Sequence, residues 1–500
     1  MISFKRVSYT YAHADRPAVS DVTLTVAPGE VKVVTGASGC GKTTLMRLAN
    51  GLCPQLYKGT MSGTVTAAGL DVPTTPIADL AGFVGTLFQD PEEQFFALSV
   101  GDEIAFALRS RGVPTEDIRV RTERAAERLG ITGLLTQDIH ALSEGQKQKV
   151  GLAALLALGP KVLVFDEPSA NLDPEATEAL AHTVAELKSE GTAILIVDHR
   201  LYWLRDVADA VIVMRDGHIV REGPFSMLDD DIFRRAYGLR RPTVLDRRRT
   251  LPRIRVTTGA LSDADETPAF AAENLTFAYD GAEPLFESAS FAVPAGVTAL
   301  IGDNGTGKTT LARVLTGLNK AEGRFWAGGK PVGPEGLMPS AGLVLQNADH
   351  QLQMRTVEEE LQSALTAGRI GRRGAVKGLK RLTLGLFGLS ARTRPDDADR
   401  MTELLGKLNL EHLRARHPQS LSGGEKQRLM IGCALAKEPS VLILDEPTSG
   451  LDGANMAAIA AVLAAERDAG RAVFLITHDL ELLDVCDRAL VMNAFQQHRL

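Results

Sequence analysis

Two lysines sit in runs built to hold phosphate. Lys42 belongs to GASGCGKTT (Gly36 to Thr44) and Lys308 to GDNGTGKTT (Gly302 to Thr310), two copies of G-x-x-x-x-G-K-[ST]. Glycines at this spacing turn backbone N–H groups inward around phosphate oxygens, the lysine adds a point charge, and the hydroxyl can coordinate Mg2+. A helix that follows aims its positive end at the same anion. The candidate contacts are Gly36, Ser38, Gly39, Gly41, Lys42, Thr43 and Thr44, then Gly302, Asn304, Gly305, Gly307, Lys308, Thr309 and Thr310. Downstream, an acidic pair ends an apolar strand in each half: Asp166-Glu167 after VLVF and Asp445-Glu446 after VLIL. Ligands sit at that end of a parallel sheet, so each aspartate can hold Mg2+ through water and each glutamate can polarise an attacking water. Between loop and pair, ALSEGQKQKV and SLSGGEKQRL place Ser-x-Gly at the start of a helix, which is another anion site.

The elements that must position these groups read as a repeat. The lysines lie 266 residues apart (308 − 42), Gln89 and Gln346 lie 257 apart (346 − 89), and Ser143/Ser422 and His199/His478 both lie 279 apart (422 − 143, 478 − 199). The first half is therefore longer between phosphate loop and glutamine, and the second is longer between glutamine and LSGGE, around Gly368 to Pro395. Each half opens with alternating strand residues (Val7, Tyr9, Tyr11; Leu275, Phe277, Tyr279). VKVVTG and VTALIG then feed the phosphate loops, and VLVFDE, AILIVDH, VLILDE and AVFLITH are wholly apolar strands separated by helical stretches. Such strands predict an α/β fold with a parallel sheet covered on both faces. The expected domains are 1–225 and 269–500, joined by a linker at 226–268.

Bulk properties exclude other classes. Hydrophobic residues make up 44% and charged residues 23% of 500, a globular balance, and the net charge of −7 argues against a general nucleic-acid binder. The four cysteines (Cys40, Cys53, Cys433, Cys486) have no zinc or C-x-x-C spacing and read as reduced thiols. No stretch reaches the roughly 18–20 apolar residues that span a bilayer, so a membrane role is expected to come through a partner. Arg240, Arg241, Arg247, Arg248, Arg249, Arg253 and Arg255 cluster in the linker. They read as a solvated connector or as a docking site for nucleic acid or phospholipid, the connector being the commoner meaning of such a run.

The ordered set resembles the ATP-binding-cassette family, whose signature is LSGGQ. Besides loops, carboxylate pairs and signatures it includes the early aromatics Tyr11 and Tyr279, Gln89 and Gln346, the SANLD and TSGLD loops, and His199 and His478, all twice and in one order. The resemblance implies two nucleotide-binding domains, each with a mostly parallel core, an antiparallel β subdomain and a helical signature subdomain. It implies ATP and Mg2+ as cofactors, Tyr11 and Tyr279 stacking on adenine, and Glu167, Glu446, His199, His478, Gln89 and Gln346 as catalytic groups. A strand aromatic packed on the core is the structural alternative for either tyrosine. Mg2+ would be held by Thr43, Gln89 and Asp166, and by Thr309, Gln346 and Asp445. Each loop would face the other half's signature: Lys42 with Ser422, Gly424 and Glu425, and Lys308 with Ser143, Gly145 and Gln146. Glu144 stands where LSGGQ has its first glycine, so it either puts a negative charge near a triphosphate and weakens closure, or points to solvent.

QDPEEQFF (Gln89 to Phe96) looks like the ATPases of energy-coupling factor importers for vitamins or transition-metal ions; QNADHQL (Gln346 to Leu352) keeps both glutamines but has Ala348 in place of proline. The resemblance implies docking to an integral-membrane scaffold (T-type) protein with a substrate-binding membrane subunit, on the cytoplasmic face of the cell membrane, and no nucleic-acid partner. The insertion at 368–395, with its arginines, lysines and LTLGLFGL, lies on anionic headgroups or forms a solvated loop. Other readings are a tandem ATPase of a peptide, metal or sugar importer, and a soluble cassette translation factor. Pro242 and Pro252 argue against the long helical linker such a factor would carry.

Overall fold

The computed structural model describes residues 1–259, 261, 268–303, 305–346, 351–373 and 395–495. Two compact units form, Met1–Val244 with Asp452–Ala454, and Leu245–Leu451 with Asn455–Leu500. In the first, a six-stranded sheet runs His218–Gly223, Ala210–Arg215, Val31–Gly36, Ala193–Val197, Val162–Asp166, Val84–Leu87; all neighbours are parallel except the edge hairpin His218–Gly223 on Ala210–Arg215. Its strands are apolar on both faces because both are covered. Val33, Leu163, Phe165, Ile194 and Ile196 face one core, and Val34, Val162, Val164, Leu195 and Val197 face the other. The second core includes a four-stranded antiparallel sheet built on Ile2–Tyr11, in which Phe4, Val7 and Tyr9 are fully buried. Helices Val100–Ser110, Thr115–Arg128 and Glu144–Leu158 pack together as a helical subdomain.

The second unit repeats the plan. Its five-stranded parallel sheet runs Ala341–Val344, Val441–Asp445, Ala472–Ile476, Gly296–Ile301, Arg488–Val491. A five-stranded antiparallel sheet centres on Phe270–Phe277 and Phe286–Val293, and helices Val357–Arg373, Pro395–Lys407 and Gly423–Ala436 pack together. The α/β architecture expected from the motifs is the one present.

The stretch expected as a solvated connector is folded over its described part. A helix spans Asp231–Tyr237, and Arg234 and Arg240 are buried. Past residue 244 the chain joins the second unit, where Arg253 bridges Ala489 and Thr257–Thr258 pairs with Ser290 and Ala289. Some of these arginines are received by protein groups, Arg234 by Leu228 O, Arg247 by Asp484 O at 3.1 Å and Arg248 by Asp246 at 2.7 Å, while Arg249, Arg253 and Arg255 are exposed, as a solvated run would have them. Most of the basic insertion, residues 374–394, lies outside the described residues, as does Asn304.

Candidate nucleotide-binding and catalytic sites

Each phosphate loop leaves its strand and opens a helix, Lys42–Ala49 or Lys308–Leu315, through a glycine at the N-cap with φ of +105° (Gly41) or +94° (Gly307). No L side chain fits there: a Cβ on Gly41 would lie 2.4 Å from Ala18 O. Both lysines are buried and arch back over the loop. Lys42 Nζ donates to Gly36 O and Ala37 O at 3.0 Å, and Lys308 Nζ to Gly302 O and Asp303 O at 2.7 and 2.9 Å. Tyr11 and Tyr279 stand beside the loops and are tied to them. Tyr11 Oη lies 3.0 Å from Thr44 Oγ1 and Tyr279 Oη 3.1 Å from Thr310 Oγ1, with each ring edge-on to the preceding strand aromatic, Tyr9 or Phe277.

At the strand ends the acidic pairs share a constraint that composition does not reveal. Glu167 and Glu446 both have φ of +47°, a left-handed conformation that costs a side-chain-bearing residue roughly 1–3 kcal/mol. Their N–H groups donate to Val197 O (2.7 Å) and Ile476 O (2.9 Å) of the neighbouring strand, which holds the strained turn in place. Glu167 Oε1 is then 3.5 Å from His199 Nε2, and Glu446 Oε1 is 3.8 Å from His478 Nε2 while accepting the His478 N–H at 2.9 Å. Burial pushes Glu167 up to about 8, with Asp198 and Asp166 adding like charge, and Asp166 up to about 6. Burial, with Lys42 and Arg240 nearby, holds His199 well below its ordinary value, so its imidazole is neutral at pH 7.

The residues present suit Mg2+. In the second unit Thr309 Oγ1 donates to Asp445 Oδ2 at 2.9 Å, which brings together one hydroxyl and one carboxylate. Thr43 and Asp166 are the matching pair of the first. Among the described residues no group of three His, Cys, Asp or Glu converges. Gln89 and Gln346 follow the edge strands Val84–Leu87 and Ala341–Val344 and are exposed.

The signature serines do local work as well. Ser143 and Ser422 are N-caps whose Oγ accepts from the N–H of Gln146 or Glu425, while those side chains accept the serine N–H at 2.9 and 2.8 Å. These are full capping boxes, legible in advance from S-x-x-[EQ]. Gly424 is forced by packing, since a Cβ would stand 2.3 Å from Asn455 Cγ. Glu144 turns back onto its own helix. Its carboxylate takes Lys147 Nζ at 3.1 Å, and that ammonium also binds Glu92 at 2.7 Å, with His140 on Glu92 at 2.9 Å.

Two residues went unremarked in the sequence. Glu103 Oε2 accepts the N–H of Phe96 and Ala97, both at 2.8 Å, and Glu360 Oε2 those of Gln353 (2.9 Å) and Met354 (2.7 Å). Both carboxylates are buried and fix the loop after each glutamine motif. The signal was available, because 360 − 103 is again 257, the spacing of the glutamines. The first-unit loop so fixed presents Phe96 (77% exposed) and Leu98 (74%), and Phe106 (43%) on the following helix Val100–Ser110 stacks its ring on Phe96 at 5.1 Å.

A family model described as ABC transporter matches residues 19–170 and 286–449. A protein of Treponema denticola named as an ABC transporter ATP-binding protein is 34% identical over 499 residues, covering 99% of this chain and 95% of its own. A protein of Bacillus subtilis named for HMP/thiamine import, YkoD, is 30% identical over 522 residues, covering 99% and 90%. The solved structure of cbiO1 from Clostridium perfringens, described as part of the ABC transporter complex cbiONQ, is 31% identical and covers 48% of this chain and 95% of its own, with a TM-score of 0.42.

Proposed function

The chain belongs to the ABC transporter family and is an ATPase with two cassette domains, and from that premise we propose that it drives import of a vitamin or transition-metal ion as the tandem ATPase of an energy-coupling factor type transporter. The observation that carries the reading is the apolar patch of Phe96 and Leu98, directly after Gln89-Asp90-Pro91-Glu92-Glu93-Gln94, with Phe106 of the next helix stacked on Phe96. Large rings left in water beside a nucleotide-sensing glutamine suit insertion of a partner's coupling helix. Among the described residues no helix is long and apolar enough to cross a membrane, so that partner would be a separate integral-membrane scaffold carrying a substrate-binding subunit. The import named for the Bacillus subtilis relative favours a micronutrient cargo.

In this reading Lys42 and Lys308, with the loop amides, hold the ATP phosphates, and Tyr11 and Tyr279 hold adenine. Thr43, Gln89 and Asp166, and Thr309, Gln346 and Asp445, would hold Mg2+, which supplies charge neutralisation at the phosphate oxygens. Glu167 and Glu446 take the proton of the attacking water, and His199 and His478 orient the glutamate and the transferred group. Each loop is completed by the other half's signature: Ser422, Gly424 and Glu425 for the first, and Ser143, Gly145 and Gln146 for the second. The chain then works at the cytoplasmic face of the membrane without spanning it.

The test is recovery of the tagged full chain from solubilised membranes. A polytopic scaffold with a small membrane subunit should co-purify. Phe96→Ala with Phe106→Ala should lower that recovery at least about tenfold, as loss of a buried aromatic anchor does, and leave ATP binding intact. Sedimentation with ribosomes and no membrane protein would sink the import reading and favour a translation factor.

A further inference from the structure

The segments that carry the two switch histidines are built differently. The first unit reads Asp198-His199-Arg200 where the second reads Thr477-His478-Asp479, each pair of positions 279 apart (477 − 198, 478 − 199, 479 − 200). The carboxylate has moved from one side of the histidine to the other. Even so, it reaches the same place. In the second unit Thr448 Oγ1 donates to Asp479 Oδ2 at 2.8 Å; in the first, Ser169, the residue matching Thr448 (448 − 169 is 279), donates from Oγ to Asp198 Oδ2 at 2.8 Å. Ser169 and Thr448 both lie two residues past the glutamate, in the loop that leads into SANLD or TSGLD.

Each carboxylate also accepts the N–H two residues on, as Asp479 Oδ1 does from Glu481 at 3.1 Å, and the first unit adds an indole to this tie. Asp198 Oδ2 also accepts Trp203 Nε1–H at 3.2 Å, and Oδ1 accepts the Arg200 N–H at 2.8 Å, so the buried carboxylate has three donors. Arg200, itself 3% exposed, sends Nη1 to the carbonyls of Ser169 (3.0 Å) and Leu172 (3.2 Å), the two ends of the same loop. Trp203 is matched by Leu482, which has no donor to offer (482 − 203 is 279). A buried ionic group is kept where partners compensate it, and here the guanidinium spends Nη1 on the two ends of the loop while the carboxylate takes one donor, Ser169 Oγ, from that loop and two from its own segment. The relocation has a local reason too. Thr477 Oγ1 stands 3.4 Å from Glu446 Oε2, where a hydroxyl can donate; a carboxylate at that position must turn away from Glu167, and Ser169 and Trp203 draw it off.

We propose that Asp198 and Arg200 are positioning residues that fasten His199 to the loop Ser169–Leu172, so that in the first unit the histidine and the loop after Glu167 move together. Asp479 makes the corresponding tie for His478 from the opposite side. The proposal rests on the reading of Glu167 and His199 as one catalytic pair and is independent of the cargo. Because Asp198 acts through His199, its loss displaces the reacting geometry without removing a contact to ATP, and a displacement of the order of 1 Å is worth about a hundredfold in rate. The effect belongs in kcat and not in KM.

The experiment measures steady-state ATP hydrolysis and thermal midpoint on the full chain, in complex with its membrane partners where these are required for turnover. Glu167→Gln sets the floor of first-site activity. Asp198→Asn should abolish at least about nine-tenths of the turnover that separates wild type from that floor, with KM for ATP within about twofold. Ser169→Ala, which removes one hydroxyl and adds no charge, should move in the same direction and answers the question if Asp198→Asn does not fold. The decisive variant is Asp198→Thr with Arg200→Asp, which rebuilds the order of the second unit: it should recover at least half of the lost turnover, whereas Asp198→Thr alone should not. Wild-type kcat in Ser169→Ala and Asp198→Asn overturns the proposal. So does a folded double variant no more active than Asp198→Thr, because a merely structural role predicts no rescue by a carboxylate placed across the histidine. A Glu167→Gln chain as active as wild type sinks instead the catalytic assignment on which the proposal stands, and the inference with it.

Discussion

The two units keep the same bonds at the same offsets, with the same residue types at the strand ends and glutamine loops and with different ones around the histidine. Glu167 and Glu446 share a left-handed turn to within a degree, and Glu103 and Glu360 each clamp two loop amides. The differences gather elsewhere: an exposed aromatic patch and a Glu144–Lys147 ion pair in the first unit, where the second has Gly423, and a Thr309–Asp445 hydrogen bond at the cation position in the second. What is repeated is the geometry at the strand ends and in the glutamine loops. What has diverged is the exposed surface beside the glutamine loop and the order of groups around the histidine. Duplication leaves a chain free to alter one copy wherever the other preserves the function, so the pattern of divergence marks where the halves have taken separate duties.

The largest test of that division is removal of the base from one unit at a time. Glu167→Gln and Glu446→Gln should each lower turnover at their own site by about a hundredfold or more while ATP stays bound, which is the range for loss of a positioned acid–base group. Single-turnover hydrolysis with trapped nucleotide reads both quantities. If the units have separate duties, the two variants will differ in total turnover; identical residual rates would mean that the sites are equivalent and that the divergence has no catalytic meaning.

Groups proposed for phosphate were legible in the sequence because that chemistry demands a residue type at a spacing: Lys42 and Lys308 stand at the first position of a helix after the glycine loop, and Ser143 and Ser422 cap the signature helices. Strands were legible because parallel sheets buried on both faces leave continuous apolar runs. Contacts between residues far apart, with no fixed order around the histidine, were not. Ser169 and Asp198 are 29 positions apart and pair through a carboxylate that changed sides, which a motif aligned on His199 reads as a mismatch. The folded arginines of 231–258 were hidden for another reason: a basic run reads as hydrated unless carbonyl acceptors are known to await it.

The glutamate clamps offer a test in which the units should agree. Glu103→Ala and Glu360→Ala each orphan two loop N–H groups, which costs about 1–3 kcal/mol. Hydrogen exchange at Phe96 and Ala97, or at Gln353 and Met354, should quicken by roughly tenfold to a hundredfold in the altered unit alone. A difference of more than tenfold between the two would show that the docking loops, like the switch segments, have diverged in stability and not only in surface.

Glu144→Gly, which restores the consensus glycine, should have the smallest effect, and the reason is electrostatic. A free carboxylate at the signature would repel a triphosphate, and its removal would then speed the site that holds Lys308. Here the carboxylate is engaged by Lys147, whose ammonium also binds Glu92, so under the proposed pairing its charge would already be offset. With Lys147 buried but Glu144 open to water, the pair is still partly screened and contributes on the order of 1 kcal/mol, and the glycine costs roughly as much in a helix's first turn. Turnover should change by less than about threefold, read in a Glu167→Gln background so that only the Lys308 site reports. Lys147→Met keeps the stem and removes the ammonium, and should expose the repulsion: KM for ATP at that site rises, and adding Glu144→Gly reverses it. If Glu144→Gly alone raised turnover tenfold, the bridge would not be screening the site, and the unequal signatures would themselves be the functional difference between the two halves.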